Sequence, residues 1–66
     1  MEEKYILFID ENIKIFTTQG AVDAMTRDFI YNMYNKTFNT NKKPTGCSRC
    51  WRVVKQELYK KYLESK

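Results

Sequence analysis

The chain has 66 residues, 42% of them hydrophobic and 15% aromatic, with two cysteines, no histidine and a formal net charge of +4. That length makes a single domain, residues 1–66, and the apolar share is too high for a disordered tail, so a real core is expected. Two cysteines do not make the multi-bridge framework of a small secreted protein, and a chain without histidine lacks the commonest general base and metal ligand.

Charge is distributed unevenly. Residues 1–35 carry three basic and six acidic side chains, net −3, whereas residues 36–66 carry nine basic and two acidic, net +7. The basic half points to an anionic partner, a nucleic acid or an acidic protein face, although surface lysine also serves plain solubility.

Two templates compete at the N-terminus. Tyr5, Ile6, Ile9, Ile13 and Phe16 follow helical spacing, while "YILFI" and "IKIF" are rich in strand formers and "DEN" between them suits a hairpin turn. A helix over residues 4–16 is preferred because a lone hairpin is marginal in water. The run "YILFI" is five residues long and meets Asp10 and Glu11. It therefore predicts neither a signal-peptide core nor a membrane span.

Residues 21–38, "AVDAMTRDFIYNMYNKTF", place Val22, Met25, Phe29 and Met33 on one helical stripe and Ile30, Tyr34 and Phe38 on a second. Two adjoining stripes predict a helix contacted on two sides, as the central member of a bundle or as one that also meets a partner. Thr17 and Thr18 before it are start signals, and Asp23 suits the first turn. Residues 39–46, "NTNKKPTG", have no apolar anchor and read as a connector, with Pro44 disfavouring helix at Lys43.

A further helix is expected from about Cys47 to Leu63. Cys47, Cys50, Trp51, Val54, Leu58 and Tyr62 project to one face, with Arg49, Arg52, Gln56 and Lys60 on the other; the result is an amphipathic helix with a cationic back. Together these elements predict an all-α, three-helix domain, with an N-terminal β-hairpin before two helices as the alternative.

The Cys47/Cys50 pair admits three readings. Half a zinc site is one, to be completed by carboxylates, a second copy of the chain or another protein, since zinc takes four ligands. A reactive thiol at a helix start is another, without the βαβ scaffold that usually carries it. The third is two small buried hydrophobes on the face of Val54 and Leu58, with Thr45 and Ser48 as caps and Trp51 as the core's largest anchor. No phosphate loop or other catalytic constellation accompanies them, so no enzyme and no obligatory cofactor are expected.

Lys42, Lys43, Arg49, Arg52, Lys55 and Lys60 form the expected binding patch, with Tyr59 placed to stack on a base or fill a protein pocket. No recognised nucleic-acid-reading motif joins them. From "FIYNMYNKTF" through "NTNKKPTGCSRCWR", residues 29–52, the chain resembles a group of small phage-encoded proteins. The shared features are a tyrosine-rich helix, an Asn-Lys-Lys-Pro connector and a Cys-x-x-Cys-x-Arg helix start. The matching positions are Asn41, Lys42, Lys43, Pro44, Cys47, Cys50 and Arg52. The resemblance implies a bacterial-virus origin and assigns no catalytic role. The expectation is a non-enzymatic interaction protein, a virion or packaging component in the bacterial cytoplasm or the particle, docking through its basic helix. The alternatives are a non-specific nucleic-acid binder and a homodimer bridged by zinc through Cys47 and Cys50.

Overall fold

Asn12 shapes the N-terminal segment. Asparagine side chains compete with the backbone for hydrogen bonds and so disfavour helix interiors. Here Asn12 Nδ2 donates to the Phe8 carbonyl at 2.9 Å and the Asn12 backbone N–H donates to Ile9 O, at φ −128°, ψ 36°. In the computed structural model, which describes residues 1–18, 22–44 and 46–65, the expected single helix is therefore two: α1, Glu3–Glu11, and α2, Ile13–Thr17. The corner brings Phe16 edge-on to Phe8, with ring centroids 6.4 Å apart. No strand occurs among the described residues, so the hairpin alternative gives way to an all-α domain.

Helix α3, Ala24–Phe38, begins at Asp23, whose carboxylate accepts from the Thr26 backbone N–H at 3.2 Å and from the Thr26 hydroxyl. These bonds, the hydroxyl's first, hold the Asp23 carboxyl below the usual aspartate range. Thr17 and Thr18 do not start this helix. Their hydroxyls bond back to the Ile13 and Lys14 carbonyls and close α2 instead. The expected start at Ala21 lies outside the described residues. Asn39 ends α3 in the left-handed region (φ 55°, ψ 53°), a conformation asparagine tolerates better than most residues.

The connector has an anchor that its own composition conceals. Asn35, one turn before the end of α3, donates from Nδ2 to Lys42 O at 2.7 Å. Its Oδ1 accepts from the Thr40 hydroxyl and the Lys42 N–H at 2.8 and 2.9 Å. One amide thus pins the chain to α3 before it turns into α4, Ser48–Glu64.

Helix α4 holds the centre, touching α1, α2 and α3. The expectation that 21–38 is central is met only in part. Helix α3 packs on α4 and reaches α1 through Phe29, whose ring lies 6.1 Å from that of Tyr5 and 4.7 Å from that of Phe8. The buried core comprises Tyr5, Ile9 and Phe16; Ile30, Tyr31, Met33 and Tyr34; and Val54, Leu58 and Tyr62. Of the two stripes on α3, the one with Ile30 and Tyr34 faces this core. On the other, Met33 is buried, but Phe29 is 40% exposed and Met25 is 81% exposed. The radius of gyration, 10.8 Å, matches the roughly 11 Å of a folded chain this long.

Leu58 is fully buried at the centre of α4, so Leu58→Ala is expected to lower unfolding free energy by about 2–5 kcal/mol. Met25→Ala should shift it by less than about 0.5 kcal/mol. Urea unfolding followed by circular dichroism compares the two.

Candidate functional site

The outer face of α4 is built by periodicity. Arg49, Arg52, Gln56 and Lys60 recur at steps of three and four and are all exposed, so they form one stripe along about 16 Å of helix. Among the described residues no carboxylate pairs with Arg49, Arg52 or Lys60; the one ion pair described there joins Lys4 to Glu2. Leu63, 54% exposed, lies at the C-terminal end of the same helix.

The other members of the expected patch are placed differently. Lys55 is buried, 6% exposed, with Nζ donating to the Thr18 carbonyl at 3.1 Å and lying 5.3 Å from the Trp51 ring centroid. Burial, then the neighbouring Arg52 charge, pulls its ammonium below the ordinary lysine range. Lys55 ties α4 to α2 and is not part of the exposed stripe. The physical reason is register: its projection falls beside Tyr62 and Leu58, where the long aliphatic stem packs and only the ammonium needs a partner.

Lys42 Nζ lies 5.4 Å from the Tyr34 ring centroid. Tyr34 in turn donates to Glu57 Oε2 at 2.6 Å, so Lys42 belongs to the flank where α3 meets α4. Lys42 and Lys43 also line an open groove with Asp28, a face of mixed charge. Tyr59 is half-buried and stacked on Tyr62, centroids 5.7 Å apart and planes at 24°. Its ring is engaged within the fold instead of presented to a base.

The cysteines contradict the buried-hydrophobe expectation, since both are exposed. For Cys47 the reason is the helix boundary. Cys47 is the N-cap of α4, outside the helical projection, and its Sγ accepts from the Cys50 backbone N–H at 3.1 Å. Ser48 is the first helical residue, and a thiol fills the capping role expected of its neighbours; Thr45 lies outside the described residues. The Cys50 side chain, then its backbone N–H, then Arg49 favour the thiolate, holding the Cys47 thiol below its ordinary value. Among the described residues no group of three or more His, Cys, Asp or Glu is placed to hold a metal ion. Trp51 is half-buried, stacked on Tyr31 with centroids 6.1 Å apart and planes at 19°. It is a flank of the core, and the largest fully buried side chains are Tyr31 and Tyr62.

Asn35 and Glu57, which sequence reasoning did not single out, organise the packing around α4 together with Asp10. Asp10 accepts from the Tyr62 hydroxyl across the α1–α4 contact. A tyrosine at a core position is itself the available signal, because its hydroxyl requires a polar partner somewhere in the chain. No protein-family model matches this chain, and no curated protein or solved structure matches it. No helix among the described residues is long and apolar enough to cross a membrane.

The Tyr34 phenol is pushed up from 10.0 to about 12, first by its bond to Glu57 and then by burial. Its neutral form is the one the fold favours. That contribution is complete below pH 10 and is lost as pH rises through about 12. The absorbance difference between wild type and Tyr34→Phe should show phenolate appearing near pH 12, and Glu57→Gln should move it back towards 10. Lys55→Ala is expected to cost about 1–2 kcal/mol of stability, read by urea unfolding, by removing both the bond to Thr18 O and the packed stem.

Proposed function

We propose that this chain is a non-enzymatic interaction protein of a bacterial virus, a virion or packaging component. It docks on a larger assembly by seating the outer face of α4 against an acidic protein surface. The observation that carries the reading is the stripe of Arg49, Arg52, Gln56 and Lys60, whose charges are exposed and have no carboxylate partner among the described residues. A fold that internalises Lys55 while leaving these three cations outside has not used them for its own cohesion. Exposed Leu63 on the same helix supplies apolar area of the kind protein interfaces bury.

The resemblance over residues 29–52 supports the viral setting, either the host cytoplasm or the particle. A nucleic acid would meet the same charges through its phosphates. The internal stacking of Tyr59 on Tyr62 and of Trp51 on Tyr31 weighs against base stacking on this face.

The test is capture of partner from host lysate by tagged protein, with and without nuclease, comparing wild type with Arg49→Glu/Arg52→Glu. The double variant should keep its far-ultraviolet circular dichroism and melting temperature, because both side chains are exposed. It should lose a capture that nuclease leaves intact in the wild type. Nuclease-sensitive capture would transfer the reading to nucleic acid, and capture retained by the variant would refute the stripe as the docking face.

A further inference from the structure

The function proposed for α4 does not use the two thiols at its start. Cys47 and Cys50 are both exposed, and they are joined by the bond from the Cys50 N–H to Cys47 Sγ at 3.1 Å. Residues three apart on a helix have Cα atoms about 5 Å apart, inside the span of roughly 4.4–6.8 Å that a disulfide needs. Arg49 is close enough for its charge to favour the Cys47 thiolate.

We propose that Cys47 and Cys50 form a thiol–disulfide exchange site, with Cys47 as the attacking thiol and Cys50 as the resolving one, acting on anionic disulfides of low molecular weight. The division of labour follows from the capping geometry. A sulfur at the N-cap of a long helix faces backbone N–H groups that favour negative charge, whereas Cys50 lies inside the first turn and directs its own N–H at that sulfur. Arg49 and Arg52, exposed beside the pair, suit a carboxylate-bearing substrate such as oxidised glutathione.

The reaction balances with that disulfide as oxidant. Cys47 gives its proton to solvent and its thiolate attacks one glutathione sulfur; the S–S bond breaks, a mixed disulfide forms on Cys47, and one glutathione thiolate leaves and takes up a proton. Cys50 then gives its proton to solvent, and its thiolate attacks Cys47 Sγ, forming the Cys47–Cys50 bond and expelling the second glutathione thiolate, which is protonated in turn. Two protein thiols lose two electrons and two protons, and one disulfide is reduced to two thiols.

The test incubates the reduced 66-residue chain with oxidised glutathione and follows intact mass with time. Wild type should become two hydrogens lighter with no disulfide-linked dimer and no lasting adduct. Cys50→Ser should stall with one glutathione on Cys47. Cys47→Ser, which retains a capping side chain because serine is a strong N-cap, should react several-fold more slowly. Far-ultraviolet circular dichroism checks that both variants fold. A wild type that keeps its adducts, oxidises only to disulfide-linked dimers, or remains reduced would overturn the proposal, as would equal rates for the two variants. So would one zinc ion per two chains that shields both thiols from glutathione.

Discussion

A tyrosine placed in the interior brings a hydroxyl that must be hydrogen-bonded there, because an unpaired buried polar group costs on the order of 1–3 kcal/mol. In this chain Tyr34 and Tyr62 are both buried, and satisfying their hydroxyls fixes how α4 meets its neighbours. Tyr62 reaches Asp10 and holds α4 against α1; Tyr34 reaches Glu57 and holds α3 against α4. Lys55 follows the same logic with an ammonium, joining α4 to the end of α2. Apolar burial supplies the cohesion, and these directed bonds supply the register.

The all-α class was readable from spacing, because Ile30 and Tyr34, and Val54, Leu58 and Tyr62, repeat at helical intervals and all fall in the core. Where the reading diverged, a side chain bonded to the backbone was responsible. Asn12 split the N-terminal helix by turning back to Phe8, and no periodicity registers that event. Asn35 immobilised a connector whose composition showed no anchor, since the anchor lies outside the segment. Helical projection placed Cys47 on the core face, but a cap is not a helical residue, and the pair ended in solvent.

The candidate binding face was legible in the same uneven way. Arg49, Arg52 and Lys60 lie on the side of α4 that their phase predicts. Lys55 shares their charge but not their phase, so counting lysines along the sequence overstated the patch. Tyr59 is near the stripe in projection, yet the neighbouring Tyr62 ring claims its face. Charge singles out the half of the chain suited to an anion, and phase tells which side chains are exposed to one.

The bond between Tyr62 and Asp10 joins residues 52 positions apart and so closes most of the polypeptide into a ring. The entropy of closing a loop grows only with the logarithm of its length, so this contact tolerates added residues within the ring, and exposed Lys43 and Pro44, beyond the bonds that Asn35 makes to Lys42, are the natural place for them. The ring also couples the two ends of the chain. A change in the last turn of α4 therefore bears directly on the seating of α1.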